Sequence, residues 1–304
     1  MKVLIVGLGS IGRKHINSLM NLPEIFTVYA LRSNKNAQPE EGISNIFDLS
    51  EVSDIDFAIV STPTFLHKES IKQLLFLRCP LFIEKPLFHN LDIKEEAELV
   101  EHSTILNYVA CNLRFLNCLQ FIKSELEKGL HRINEINVYC GSYLPEWRPN
   151  QDFRKVYSSN SEMGGGVHLD LIHEFDYIYW FFGKPINVSK ITSNKSTLQI
   201  NAPDYANYCL EYKTFCVSVI LNYFRRDVKR SLEIVFDDFT WNVDLVNNKI
   251  FRDNTVIFES SQRVKDTYES QMQYFIELVK HKEKFSLNNV ADAYNVLKIC
   301  LGVC

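Results

Sequence analysis

The chain opens on a short apolar run, KVLIV at 2–6, that stops at glycines. Apolar positions then recur at helical spacing from Ile11 to Met20, which predicts an amphipathic helix. Apolar runs at Phe26–Leu31 and Asp56–Val60 predict two further strands. Between Thr64 and Leu77, the residues Ile71, Leu74 and Leu75 fall on one helical face. Leu81–Ile83 reads as a short strand, Leu91–Glu101 as a Glu-rich helix and Ile105–Cys111 as another strand. These strands do not alternate polar with apolar, as expected when helices cover both faces of a parallel sheet. Strands alternating with helices predict βαβ units.

After about residue 120 the pattern changes. Asn117–Lys128 reads as a helix stopped by Gly129. Strand-like runs then dominate, at Glu135–Tyr143, Val188–Ser193, Tyr205–Tyr212, Phe215–Phe224, Ser231–Asp237 and Phe239–Leu245. Alternation within 205–212 and 215–223 predicts antiparallel hairpins with one drier face. One helix, Asp170–Phe182, interrupts this region, and two more near 266–282 and 290–301 close the chain. The expected fold class is α/β: a doubly wound parallel sheet over residues 1–117, then an α+β domain over 118–304 on a mostly antiparallel open sheet.

Composition narrows the function classes. The net charge is −4 over 304 residues. No basic stripe is present to neutralise phosphates, so no nucleic-acid partner is expected. No run approaches the length of a membrane span, so no membrane partner is expected either. The N-terminal apolar run is too short for a secretory signal and reads as a first strand, which points to a cytoplasmic protein. Eight cysteines lie scattered without a CxxC pair. Several, such as Cys79, Cys209 and Cys216, sit in apolar patterns and read as buried reduced thiols, with metal or disulfide use the weaker alternative. No metal site is expected. The chain stops at Cys304 straight after an apolar helix, so either that helix is terminal or a short polar tail follows it.

Gly7-Leu8-Gly9-Ser10-Ile11-Gly12 follows a strand and opens a helix. In that setting Gly7 permits the tight turn, Gly9 lets backbone approach a pyrophosphate, and Gly12 lets helix and sheet pack closely. The free N–H groups of the helix start, including those near Ser10 and Ile11, favour phosphate. Twenty residues past Gly12, where an acidic side chain would take the ribose 2′-hydroxyl of NAD, stands Arg32, followed by Ser33. A guanidinium suits the 2′-phosphate of NADP, while Ser33 and Asn34 offer hydrogen bonds to a bare ribose, so NADP is expected and NAD stays open.

Glu84-Lys85-Pro86 ends a strand on the edge of the sheet that faces ligand, and Pro86 stiffens the turn that aims Lys85. Gly164-Gly165-Gly166, which allow a bend and close approach to a ligand, precede Val167-His168-Leu169-Asp170-Leu171-Ile172-His173, where Asp170 and His173 stand three positions apart and so lie on one face of the expected helix. A carboxylate beside an imidazole suits proton transfer. A structural His–Asp pair is the alternative, and His168 falls at an apolar-patterned position where it is simply packed.

These features resemble the glucose-fructose oxidoreductase / inositol dehydrogenase / MocA family. The resemblance rests on Gly7–Gly12, Ser61-Thr62-Pro63-Thr64 with His67, Glu84-Lys85-Pro86, Asn112-Leu113-Arg114-Phe115 and the glycine-led Asp170/His173 segment. It implies a Rossmann domain, a second α/β domain whose open sheet forms a homodimer or homotetramer contact, and NAD(P)-dependent hydride transfer. It further implies that Lys85 approaches substrate and nicotinamide, that His173 exchanges the hydroxyl proton and that Asp170 supports it. By the same resemblance Thr62, Pro63 and His67 lie near a cofactor ribose or the adenine, Glu84 near the nicotinamide, and Arg114 at the substrate. One departure stands out: the family spacing is Asp-x-x-x-His, whereas here it is Asp170-x-x-His173. The run Tyr139–Pro149, with Asp152, Arg154 and Tyr157, resembles a subgroup of bacterial surface-sugar biosynthesis. Trp147 and Tyr157 can stack on sugar rings, and Arg148 and Arg154 can hold a carboxylate or phosphate, although a packed loop explains the same residues. The leading function is hydride exchange with a hydroxyl or keto carbon of a sugar. The alternatives are a non-catalytic dinucleotide and sugar sensor of the same fold, and a reductase of a non-sugar ketone or imine.

Overall fold

A computed structural model describes residues 1–92 and 94–304. It divides into two compact units. The first is Met1–Asn112 with Tyr268–Tyr294, and the second is Leu113–Thr267 with Asn295–Cys304.

The first unit runs β1 (Lys2–Val6), α1 (Ser10–Met20), β2 (Thr27–Leu31), β3 (Ile43–Ile46), β4 (Phe57–Val60), α2 (His67–Leu75), β5 (Leu81–Ile83), α3 (Lys94–His102) and β6 (Asn107–Val109). The strands form one sheet in the order β3-β2-β1-β4-β5-β6, parallel throughout. This is the doubly wound arrangement expected from the apolar runs. Strand β3 was not anticipated, because its sequence ISNI carries polar residues suited to a sheet edge rather than a buried run. Of the helix expected over 91–101, Ile93 lies outside the described residues, and α3 begins at Lys94. Helix α1 presents Gly12, His15, Ile16 and Leu19 to the sheet. His15 is fully buried there, and Ser18 is the other buried polar residue of the helix.

The second unit runs α4 (Asn117–Leu126), β7 (Ile133–Tyr143), α5 (Val167–Asp170), α6 (His173–Phe182), β8 (Asn187–Ser193), β9 (Tyr205–Glu211), β10 (Cys216–Asn222), β11 (Phe224–Phe236), β12 (Thr240–Asp244), β13 (Lys249–Arg252) and β14 (Thr255–Glu259). Two helices, α7 (Thr267–Lys280) and α8 (Val290–Leu301), close the chain. The eight strands stand in the order β14-β13-β12-β11-β7-β10-β9-β8, antiparallel except where β7 meets β10. The last two strands are short, β14 is largely exposed, and the sequence pattern does not mark them. One face is dry, with Ile136, Val138, Val217, Val219, Leu232 and Ile234 buried. The Phe175 ring of α6 packs on Tyr208 of β9 at 4.6 Å.

The second unit is not one continuous stretch of chain. Phe275 of α7 sits in the first unit, with its ring 5.4 Å from those of Phe57 and Phe82. Burying a phenylalanine among rings stabilises by about 2–3 kcal/mol, enough to fix where the segment packs. All eight cysteines are free thiols. Cys79 is buried as expected, but Cys209 and Cys216 are exposed, because they occupy the outward positions of β9 and β10. Among the described residues, no helix is long and apolar enough to cross a membrane.

Candidate functional site

In the first unit the glycine turn leaves β1 and enters α1. Gly7 has φ +101°, and a Cβ there would lie 2.4 Å from the Thr62 nitrogen. A Cβ on Gly12 would lie 2.4 Å from the Gly7 oxygen. Both glycines are therefore required by the protein's own packing. Ser61 locks the turn from β4, its Oγ donating to the Gly7 oxygen at 2.8 Å. Gly9 differs, since a Cβ built on it meets nothing within 4 Å. It is the N-cap of α1, and no side chain caps the helix. The free N–H groups of the first turn and the open space over Gly9 fit the pyrophosphate of a dinucleotide. Ser10 is exposed and Ile11 half-buried at the start of that helix.

Arg32 follows β2, where its Nη1 lies 3.5 Å from Glu40 Oε1. Ser33 beside it is exposed. Thr62 is half-buried against the glycine turn, and Pro63 is exposed. His67 is turned into the protein. It is 1% exposed, with Nδ1 3.0 Å from the Leu87 oxygen and Nε2 3.0 Å from the Thr62 oxygen. Burial lowers its pKa, against the pull of the carbonyls. The ring thus braces the Thr62 turn from within.

Glu84 is also turned inward. Its Oε1 lies 2.5 Å from His15 Nε2, and its Oε2 accepts from the Lys85 backbone N–H at 3.0 Å. Burial opposes the carboxylate, but the His15 bond and the neighbouring charges hold the Glu84 carboxyl below its usual range. Glu84 thus anchors the turn that carries Lys85. The Lys85 side chain is half-buried. His15 was not singled out from sequence, and Ser61 only as part of the Ser61–Thr64 run. The available signal for His15 was its place on the apolar face of α1.

In the second unit, the three glycines serve the chain itself. A Cβ on Gly165 would lie 2.1 Å from the Tyr157 oxygen, and Gly166 has φ +138°. The close approach expected toward a ligand is made to the Tyr157 turn. It brings the Tyr157 hydroxyl to Asp170, donating to Oδ1 at 2.7 Å. The Tyr223 hydroxyl donates to Oδ2 of the same carboxylate. Burial, with Asp170 alongside, holds both phenols well above their usual pKa, so both remain donors. Tyr223 went unnoticed in sequence because it stands in an apolar strand run.

The helix expected over 170–182 is two helices. Asp170 ends α5 and His173 begins α6, with Leu171 at φ −98°, ψ 29° breaking the ladder. The shared-face argument for Asp170 and His173 therefore fails, and the shortened spacing coincides with this break. Both residues are nearly buried, at 5% and 7% exposure. His168 is packed, and burial pushes its pKa down to about 4. Arg114 is held in the core. It is 2% exposed and grips Asp176 with two bonds, Nε to Oδ2 at 2.9 Å and Nη2 to Oδ1 at 2.8 Å. That buried fork is a packing element.

The loop residues divide. Trp147 is 39% exposed, donates from Nε1 to Ser142 Oγ at 2.9 Å, and sets its ring edge-on to Tyr223 at 5.3 Å. The Arg148 guanidinium stands 5.7 Å from the Tyr157 ring centre. Trp147, Arg148, Tyr157 and Asp170 thus form one neighbourhood. Arg154 is exposed and lies over Phe153.

A parallel sheet with an open, uncapped glycine turn, a braced lysine at a strand end and a second unit with a carboxylate held by phenols define a dinucleotide-dependent oxidoreductase. Residues 1–107 match the NAD-binding Rossmann-fold domain of an oxidoreductase family, and residues 125–235 match its C-terminal alpha/beta domain. The chain belongs to that family, the glucose-fructose oxidoreductase / inositol dehydrogenase / MocA family. It is 24% identical to a myo-inositol 2-dehydrogenase of Thermotoga maritima, over 93% of this chain and 89% of that protein. The crystal structure of myo-inositol 2-dehydrogenase from Lactobacillus plantarum has the same fold, with a TM-score of 0.81 at 21% identity over 99% of this chain and 95% of that one. So does scyllo-inositol dehydrogenase from Lactobacillus casei, solved with bound NAD(H) and scyllo-inositol, with a TM-score of 0.81 at 21% identity over 100% and 95% of the two chains.

Proposed function

We propose that this enzyme moves a hydride between a nicotinamide and a hydroxyl-bearing or keto carbon of a sugar or sugar derivative. Its setting is the cytoplasm, in the making of surface polysaccharides or acidic sugars. The observation that carries the sugar half is the Trp147, Tyr157, Tyr223 and Asp170 neighbourhood. The part-exposed indole of Trp147 offers a stacking surface for a ring, Arg148 adds anion-binding capacity in the same neighbourhood, and Arg154 on the following loop adds a second cation. The names of similar proteins, which act on inositols, levoglucosan and UDP-N-acetylglucosamine, support the same class.

When bound, the nicotinamide supplies the hydride acceptor or donor. Lys85 polarises the substrate oxygen, and His173 takes the hydroxyl proton during oxidation and returns it during reduction. Asp170, fixed by its two phenols, positions the substrate beside them. Gly7, Gly9, Ser10, Ile11 and Gly12 seat the pyrophosphate, and Thr62 and Pro63 border the cofactor. NADP is the preferred cofactor through Arg32, with Ser33 near the ribose. The chain acts as a homodimer or homotetramer through the outer face of its second sheet, where Tyr139, Ile220 and Phe251 interrupt a polar surface. The test is nicotinamide absorbance with inositols, levoglucosan, acidic sugars and UDP-sugars, in both directions and with both cofactors. Turnover with one of these supports the reading. Dinucleotide binding without turnover across the panel favours a sensor instead.

A further inference from the structure

Arg32 does not stand alone at the end of β2. Arg13, in the first turn of α1, reaches the same place from the glycine turn. Its Nη1 donates to the Leu8 oxygen at 2.9 Å. Its Nε and Nη2 donate to Glu40 Oε2 and Oε1 at 2.9 and 2.7 Å. Arg32 Nη1 faces the same Oε1 at 3.5 Å, too long for a good hydrogen bond, and that nitrogen is buried with no hydrogen-bond partner. Glu40 arrives from the connection between β2 and β3, where its backbone oxygen accepts from Ile43 N–H at 3.1 Å. Two guanidinium groups thus enclose one carboxylate between the glycine turn and the end of β2. In this fold class that is where the 2′ substituent of the adenosine ribose falls.

We infer that Glu40 occupies, between Arg13 and Arg32, the seat of the 2′-phosphate of NADP and competes with it, so that Glu40 sets the preference between NADP and NAD. The inference rests on the dinucleotide reading of the glycine turn. The charges support it. Two cations around one carboxylate leave a net positive seat with an unsatisfied donor, and a phosphate brings a larger charge and three acceptor oxygens. The three side chains are 20–47% exposed. Ion pairs of that exposure hold weakly, so Glu40 is displaceable. NAD brings no 2′-phosphate and leaves the trio in place.

The experiment is a fluorescence titration of NADPH and of NADH against the wild-type protein, Glu40→Gln, Glu40→Ala and Glu40→Gln/Arg32→Ala. A parallel competition sets adenosine 2′,5′-bisphosphate against 5′-AMP. Removing the competing charge is expected to tighten NADPH about tenfold and to leave NADH within about twofold. The gain is expected to shrink as salt rises and to vanish when Arg32 is also removed. The bisphosphate is expected to follow NADPH, and 5′-AMP to follow NADH. Unchanged NADPH affinity in both Glu40 variants overturns the inference while leaving the dinucleotide site intact. Weakened NADH binding overturns it too, since Glu40 then holds the ribose hydroxyl. Binding of neither dinucleotide to any of the proteins overturns the dinucleotide reading itself.

Discussion

The glycine turn separates residues needed by the protein from one needed by its ligand, and Gly9→Ala tests that separation. Gly9 sits at φ −91° and ψ −164°, a conformation open to any L-residue, and a methyl there meets no protein atom within 4 Å. Alanine reduces the freedom of the unfolded chain, so the folded protein should gain about 0.4–1 kcal/mol or remain unchanged. The same methyl projects into the space through which backbone approaches the pyrophosphate. Losing that approach should weaken dinucleotide binding on the order of a hundredfold, about 3 kcal/mol. Gly7→Ala provides the contrast, because φ +101° and a 2.4 Å approach to Thr62 should cost the fold about 2–4 kcal/mol. The assay is thermal unfolding with and without saturating NADPH. At a hundredfold excess over its dissociation constant, ligand stabilises the wild type by about 2.7 kcal/mol. Gly9→Ala should match the wild type without ligand and lose most of that gain with it. A Gly9→Ala protein that binds like the wild type would refute the reasoning, as would one that unfolds.

Other consequences follow from the buried groups. Arg114→Ala strands Asp176 in the core and should cost about 3–5 kcal/mol in denaturant unfolding, whereas Trp147→Ala should cost about 1 kcal/mol and act on sugar binding instead. A cost for Arg114→Ala below about 1 kcal/mol would return that residue to the list of ligand contacts. His168 has a folded pKa near 4 against 6.5 as its ordinary value, so the unfolded chain takes up the proton first. Its contribution is complete above pH 6.5 and lost as pH falls toward 4, about 3 kcal/mol in all. His168→Gln should flatten the acid limb of stability against pH, and an unchanged limb would contradict the burial argument. Tyr223→Phe and Tyr157→Phe each remove one donor to Asp170 and should each cost about 1–3 kcal/mol, with coupling visible in a double-mutant cycle. Strict additivity would show that the phenols do not share the carboxylate.

Much of the first unit was legible because its physics is local. Apolar runs without alternation, each followed by a helical stripe, leave few arrangements, and the doubly wound parallel sheet is one of them. The glycine turn was legible in outline, and the backbone adds the close approaches at Gly7 and Gly12 that Gly9 lacks. What sequence missed depends on long-range meetings. The pairing of His15 with Glu84, of Tyr223 with Asp170 and of Arg13 with Glu40 joins residues that no period or spacing relates. The inward bonds of Arg114 and His67 were hidden for the reverse reason, since a polar residue in a recognised motif looks the same in sequence whether it faces a ligand or braces the motif from inside. The helix break at Leu171 also escaped, because the apolar stripe continues across it.

The most direct test of the enzymatic claim is Lys85→Ala in steady-state turnover with the sugar identified from the panel, alongside the NADPH titration. Turnover should fall about 10²–10⁴-fold while dinucleotide affinity stays within a few-fold of the wild type. Turnover near the wild-type rate would remove Lys85 from the chemistry, and with it the proposed mechanism.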